Sequence, residues 1–389
     1  MTKNVTPKTV SDSRAAHKNN PKQPYFAGRY VNDLRDAAVA AMFAGVHASF
    51  QSPPGWGKTD ILSNIARAVA GSDHFNRIDL MPSSSPSAFT GLDDPQELIN
   101  NGRLVKVTTG TPYDPNMRVV LADELFRAND PTFDAGLHAL DPQKQDNCVV
   151  FAANNFVAKG ERVEALLDRI ALWYWMNPAQ TLDVEDTVNA MMNSTGKPAV
   201  PGWLPTWDMV EAVRAAVPGP KATAAIRDHI ALLVQEAKEE GFAVGHPRSL
   251  AQWWRILYYN GVAVTGDEDF DRIPDEVAKL LIFAYGSASY QEARKWADMV
   301  AALADKVQAE VDRILAENVE EFKRVAAITD LTQRTTEAMN LGGRLAAAQT
   351  TLFTQFGKDE PRVQAALQLL TQWHSAAVMG QTTVFADRS

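Results

Sequence analysis

Within this chain of 389 residues, the segment Ser52-Pro-Pro-Gly-Trp-Gly-Lys-Thr59 holds residue types that can do chemistry on a phosphate. A multiply charged anion needs a loop whose backbone N–H groups turn inward, and Gly55 and Gly57 permit that curvature and a close approach. Lys58 supplies a cation to the β- and γ-phosphates, and Thr59 offers a hydroxyl to Mg²⁺. The helix that follows presents its positive end to the anion. The candidate nucleotide-binding residues therefore run from Pro54 through Gly55, Trp56, Gly57, Lys58 and Thr59 to Asp60. The usual pattern, Gly-x-x-x-x-Gly-Lys-Ser/Thr, begins here with Ser52 in place of its first Gly. Trp56 inside the loop either shields the site or touches a neighbouring subunit.

A second element agrees with the first. Val119-Val-Leu-Ala-Asp-Glu124 is an apolar strand ending in two carboxylates, which it delivers to the carboxyl edge of a buried sheet, where open α/β sheets bind ligands. Asp123 and Thr59 are the candidate metal residues. Glu124 is the candidate catalytic residue that orients and polarises the attacking water. Phosphoryl transfer also needs positive charge on the γ-phosphate and a polar group to hold the water. Asn154 and Asn155 follow the apolar run Val149-Val-Phe-Ala-Ala153, so they sit at another strand's carboxyl end. Arg169, in Leu166-Leu-Asp-Arg-Ile170, and Arg248, in Gly245-His-Pro-Arg-Ser249, supply guanidinium groups in the order such a site requires.

Positioning these groups takes alternating strands and helices. Extended stretches are predicted at 46–51, 75–81, 117–122 and 147–153, with a helix over 31–43 before the first. After the loop, Ile61, Leu62, Ile65, Ala66 and Val69 fall on one helical face that ends at Gly71. Strand, helix, strand in repetition implies an α/β fold with a largely parallel sheet sandwiched by helices. Past about residue 177 the pattern becomes helical: 206–216, 220–240, 247–259, 274–285, and a long stripe from Tyr290 to Val325 through Met299, Leu303, Val307, Val311, Ile314, Leu315 and Phe322. Gly342-Gly343 is expected to break that pattern, and a last helix covers 361–379. Residues 1–24, with five Lys/Arg against one Asp, are expected to be a mobile solvated tail.

Composition bounds the function classes. Hydrophobic residues at 46% and charged residues at 22% are ordinary for a soluble protein. A net charge of -9 argues against a general nucleic-acid coat. The single cysteine, Cys148, excludes an internal disulfide framework or a multi-cysteine metal site. No apolar run approaches the roughly 20 residues that span a bilayer, and no secretory signal pattern opens the chain. The expectation is a cytoplasmic protein without membrane contact.

At these residues the chain resembles the MoxR-type AAA+ ATPases, within the branch that also holds McrB-like and nitric-oxide-reductase-activating ATPases. The resemblance runs from about Phe26 to Tyr285. It rests on Pro53 to Thr59, Leu121-Ala-Asp-Glu124 with Arg127-Ala128, Ala152-Ala-Asn-Asn155, Leu167-Asp-Arg-Ile170, Gly245-His-Pro-Arg248 and Ile273-Pro-Asp-Glu-Val277. It implies sensor 1 at Asn155, an arginine finger at Arg169 acting across a subunit boundary, and sensor 2 at Arg248. The catalytic set is then Glu124, Asn155, Arg169 and Arg248. The implied architecture is a P-loop NTPase AAA+ core over 25–177 with a pore-facing insertion at about 93–112, then an all-α lid over 178–286. A C-terminal helical extension over 287–389 lies beyond the family's usual end. Two departures stand out: Asn155 is followed by Phe156 where the family has Pro, and 138–149 is short for the family's usual hairpin.

The resemblance implies an ATP- and Mg²⁺-dependent hydrolase working as a homo-oligomer, a hexamer, that remodels a client or adaptor protein, such as one with a von Willebrand A domain. Two other functions fit the same residues. One is a nucleic-acid-associated motor or switch, with Arg103 and Lys106 as its contacts. The other is a structural ring held together by nucleotide, against which the intact Asp123-Glu124 pair argues.

Overall fold

The computed structural model describes residues 5–18, 29–141, 148–155, 165–167, 169–175, 203–216, 223–244, 247–270, 273–286, 290–358 and 360–388. In chain order the elements are α1 (Pro7–Lys18), α2 (Arg29–Ala44), β1 (Ala48–Gln51), α3 (Lys58–Ala70), β2 (Phe75–Asp79), α4 (Ser87–Thr90), β3 (Leu92–Asp93), α5 (Pro95–Asn101) and β4 (Lys106–Val107). They continue as β5 (Val119–Asp123), α6 (Asp130–Ala139), β6 (Val149–Asn154), β7 (Leu172–Trp175), α7 (Trp207–Ala215), α8 (Ala224–Glu239), α9 (Pro247–Thr265) and α10 (Asp275–Ala278). Three long helices close the chain: α11 (Tyr290–Ala326), α12 (Leu331–Phe356) and α13 (Pro361–Met379). The chain divides into two compact units. One holds 1–221, 245–270 and 274–298; the other holds 222–244, 271–273 and 299–389.

The first unit is built on a five-stranded sheet in the order β2-β5-β6-β1-β7, with every pairing parallel. A parallel strand covered on both faces must be apolar throughout, and β5 and β6 are buried at every position. Phe50 of β1 packs edge-on against Phe151 of β6, with ring centroids 5.4 Å apart, and meets Tyr174 of β7 at 6.4 Å. Truncating a fully buried ring such as Phe50 costs roughly 3–5 kcal/mol in a core of this kind. The edge strand β2 is less covered: Phe75 is its one buried residue, and Arg77 and Asp79 are exposed. In α3 the face predicted from the sequence is buried at Leu62, Ile65, Ala66 and Val69, and Gly71, at φ 91°, ends the helix by donating its N–H to Arg67 O.

Several expectations are corrected here. The N-terminal segment is not a solvated tail over its described part: α1 packs against α9 and α7, with Val10 fully buried. Its Arg14 reaches Glu276 at 3.1 Å and lies over the Trp203 ring. Strand β7 was not anticipated, although Leu172-Trp-Tyr-Trp175 carries the aromatic composition strands favour. The helix expected over 274–285 is a four-residue turn, α10, followed by a 3-10 stretch, Lys279–Phe283.

The second unit is helical. The stripe of α11 is buried at Val307, Val311, Ile314 and Phe322, where it meets Leu341 and Leu352 of α12 and Leu370 and Trp373 of α13. Gly342-Gly343 does not break the chain: both lie inside α12. A mid-helix glycine costs about 1 kcal/mol relative to alanine, and the apolar face of α12 outweighs that. No described helix is long and apolar enough to cross a membrane.

Two half-buried arginines and a buried histidine hold the approach to β1. The last carbonyls of α2 have no helical partners; Arg214 of α7 donates to Met42 O, and Arg255 of α9 donates to Ala44 O at 3.1 Å. His47, in the turn before β1, accepts the Val150 N–H at Nδ1 over 3.1 Å, which requires a neutral imidazole. Burial first, then Arg255, pushes its pKa down to about 4, against a small opposing pull from Asp141. The unfolded chain therefore takes up a proton that the folded one refuses, so stability falls as pH drops from about 6.5 toward 4, by roughly 3 kcal/mol from this group at the limit. Urea denaturation at pH 7 and pH 4.5 should show this loss. His47→Asn, which keeps an acceptor at the same place, should shrink it; an identical loss in the variant would contradict the assignment.

Candidate functional site

The strand order decides where a ligand can sit. From β1 the chain runs toward β2 at one edge, whereas from β6 it runs to β7 on the other side of β1. Adjacent strands whose connections leave in opposite directions open a crevice at their carboxyl ends. The register makes that crevice polar: Gln51 aligns with Asn154, Ala153 with Asp123, and Asp123 with Asp79. The residues just beyond each strand, Ser52, Glu124 and Asn155, therefore converge.

A cleft of about 300 Å³ lies there, lined by the loop residues Gly55, Trp56 and Gly57 with Lys58, Thr59 and Asp60, and by Arg77, Asp123, Glu124 and Asn155 across from them. Of the loop residues expected at the site, only Pro54 lies outside the lining. Gly55 and Gly57 have φ of 88° and 68°, a region where a side chain is strained, and Gly57 sits at the cap position of α3. Three N-terminal residues of α3, Lys58, Thr59 and Asp60, thus face the cleft at the positive end of the helix.

Lys58 is 5% exposed. Its ammonium donates to Asn154 O at 2.9 Å, to the Asn155 side-chain oxygen at 3.0 Å and to Ser52 O at 3.5 Å. Burial draws its pKa below the usual lysine value, while Glu124 and Asp123 pull it back up. The Asn155 amide bridges two functional groups: its oxygen accepts a hydrogen bond from the Lys58 ammonium, and its Nδ2 donates to Glu124 Oε1. Thr59 Oγ1 donates to Asp123 Oδ1 at 3.2 Å. Burial raises the Asp123 pKa, against the lowering effect of Arg77, Thr59 and Lys58.

Glu124 is the one non-glycine residue with positive φ among the described residues, at φ 59° and ψ 41°. A left-handed glutamate costs energy and persists only where the surroundings fix it. Its N–H donates to Ala153 O at 2.7 Å, and its carbonyl accepts from Arg127 N at 2.8 Å. The fully buried Asn154 fixes the same turn from below, accepting the Phe126 N–H at 3.1 Å. Glu124 Oε2 is buried and has no hydrogen-bond partner among the described residues, although it faces Arg127 Nε at 3.8 Å. A carboxylate oxygen paired only at that longer distance can still accept a proton from a bound molecule.

The two arginines expected at the site fare differently. Arg169 does not line the cleft; its Nη1 donates to Ala165 O at 2.5 Å, and its Nε is buried without a hydrogen bond among the described residues. Arg248 lies in the first turn of α9, and its side chain is outside the described residues. The sequence reading missed Arg77 as a site residue. It pairs with Asp123 Oδ2 at 2.9 Å and with Asp79 Oδ1 at 2.6 Å. The period-two spacing of Arg77 and Asp79 was a legible signal that both share one face of β2.

No protein-family model matches this sequence, and no curated protein matches it either. A solved structure from Cytophaga hutchinsonii, described as a "putative ATPase", is similar to this chain with a TM-score of 0.50 at 16% identity. The match covers 77% of this chain and 93% of that one. It shows a shared fold.

The Asn154 bond yields a prediction. Asn154→Ala leaves the buried Phe126 N–H without its acceptor, a loss of roughly 1–3 kcal/mol. Chemical denaturation of the variant should show that drop; a change within a few tenths would remove Asn154 from the support of the Glu124 turn.

Proposed function

We propose that this chain is an ATP hydrolase of the MoxR-like AAA+ type, working as a ring that acts on a protein partner. One observation carries the reading: Lys58, Thr59, Asp123, Glu124 and Asn155, drawn from three separate strand ends, line a single cleft of about 300 Å³. In this reading residues 25–177 are the nucleotide-binding domain, 178–286 the lid and 287–389 an added helical segment.

The triphosphate lies on the N-terminus of α3, with Lys58 leaving its carbonyl partners to meet the β- and γ-phosphates. The Thr59 hydroxyl and the Asp123 carboxylate are hard oxygen donors already in hydrogen-bond contact. No group of three or more metal-ligating His, Cys, Asp or Glu occurs among the described residues. Two protein oxygens suit Mg²⁺, which keeps waters and shares phosphate oxygens, so Thr59 and Asp123 would hold it. A bound Mg²⁺ would offset the charge that builds on the phosphate oxygens.

Glu124 Oε2, which has no hydrogen bond among the described residues and only the longer contact with Arg127, accepts the proton of the attacking water, and Asn155 holds Glu124 and the γ-phosphate in line. Among the described residues, the cations lining the cleft are Lys58 and Arg77. The remaining positive charge comes from Arg169 of a neighbouring copy and from Arg248, which makes a homo-oligomer, a hexamer, part of the mechanism.

The insertion favours a protein partner over nucleic acid. Leu92, Leu98, Ile99, Leu104, Val105 and Val107 are all exposed on it, whereas Lys106 is tied to Asp93 at 3.0 Å. A surface of that composition suits apolar contact.

Nucleotide binding and turnover test this. With Mg²⁺, the chain should bind ATP and hydrolyse it; Lys58→Ala should lose binding. Glu124→Gln should keep binding and lose about 10²- to 10⁴-fold in turnover, the range for a general base. Arg169→Ala should keep affinity and lose about 10³-fold or more, the range for an arginine finger. Full hydrolysis by Arg169→Ala removes the ring mechanism, and an absence of nucleotide binding removes the reading entirely.

A further inference from the structure

Both carboxylate oxygens of Asp123 are already engaged by protein groups. Oδ1 accepts from Thr59 at 3.2 Å, and Oδ2 takes Arg77 Nη2 at 2.9 Å. Arg77 is anchored on its other edge, where Nε donates to Asp79 Oδ1 at 2.6 Å. The anchoring follows from the fold: Arg77 and Asp79 lie two residues apart on one face of β2, and Asp79 is the register partner of Asp123 on β5. The guanidinium is planar and carries donors along both edges, so it spans the two carboxylates in a way an ammonium could not. It also lines the phosphate cleft beside Lys58.

A divalent cation arriving alone at Thr59 and Asp123 meets a local conflict at that carboxylate, even though Asp60 and Glu124 add negative charge to the same cleft. The oxygen it needs is occupied by a fixed positive group, and a second cation, Lys58, stands in the same cleft. A triphosphate changes that balance, because its own negative charge offsets Arg77, Lys58 and the metal together. The geometry points to Arg77 as the residue that closes the cation position to free Mg²⁺ and couples metal entry to the arrival of the triphosphate. This rests on the reading of Thr59 and Asp123 as the metal position. Arg77 is then a positioning residue that acts through Asp123. A merely structural tie between β2 and β5 predicts something different: its removal would loosen the sheet edge without improving metal binding.

The test is Mn²⁺ titration of the full chain without nucleotide, followed by the paramagnetic resonance signal of free Mn²⁺. Arg77→Gln should bind Mn²⁺ about threefold to tenfold more tightly than the unsubstituted chain, the scale of one charge-assisted hydrogen bond discounted for partial exposure. Arg77→Lys, which retains the charge, should gain less. Adding Asp123→Asn to Arg77→Gln should erase the gain and so locate it. Circular dichroism establishes that each variant is folded, and Arg77→Met, which keeps the apolar stem, replaces Arg77→Gln should the latter not fold. No gain in a folded Arg77 variant overturns the proposal, as does a gain that survives Asp123→Asn. Loss of ATP binding by the unsubstituted chain would sink the hydrolase reading, yet the Mn²⁺ shift would still be measurable, so the two failures are separable.

Discussion

A buried ammonium is stable only where fixed dipoles and opposite charge replace the water it has lost, and the site is organised around meeting that demand at Lys58. The carbonyls of Ser52 and Asn154 and the side-chain oxygen of Asn155 accept its hydrogen bonds, and Asp123 and Glu124 supply the opposing charge. None of these groups is local to Lys58 except Ser52. The carbonyl of Asn154 and the amide of Asn155 arrive from a strand about a hundred residues later, and only because β6 lies beside β1 with Gln51 opposite Asn154. Slipping that register would remove the partners of the ammonium and leave a charge buried without compensation.

The same alignment shapes the acidic side. Pairing of β5 with β6 brings Asp123 level with Ala153, and the chain must turn at once to keep Glu124 in the cleft. The turn uses a left-handed glutamate, held by the Ala153 carbonyl and, through Phe126, by the Asn154 side chain. Strain at that one residue aims a carboxylate at the cleft while the apolar residues after it, Leu125 and Phe126, enter the core. Asn155 joins the two halves, since one amide meets both Lys58 and Glu124. Displacing the ammonium toward a ligand would therefore be felt at the carboxylate.

Positive and negative groups face one another across the cleft. Lys58 faces Asn155 and the acidic tip of β5, and Arg77 faces Asp123 and Asp79. Under the proposed function, a metal with a polyphosphate would bring both signs to this mixed lining together.

By itself the sequence determined the local elements and the residue types they carry. The glycines of the loop, the carboxylates ending an apolar run and the one-sided face of α3 are all contiguous signals, and each appears where it was read. The paired asparagines were legible for the same reason, as polar residues ending an apolar strand. Tertiary structure decided the rest. Arg77 became a site residue only when β2 paired with β5, and residues 7–18 became a packed helix only because α9 and α7 offered Val10 a place to bury. Gly342-Gly343 read as a break because propensity is local, but the core shared by α11, α12 and α13 outweighs it. Periodicity and composition report a residue's near neighbours along the chain, whereas strand order and helix docking are fixed by burial between segments far apart in sequence, which no single window contains.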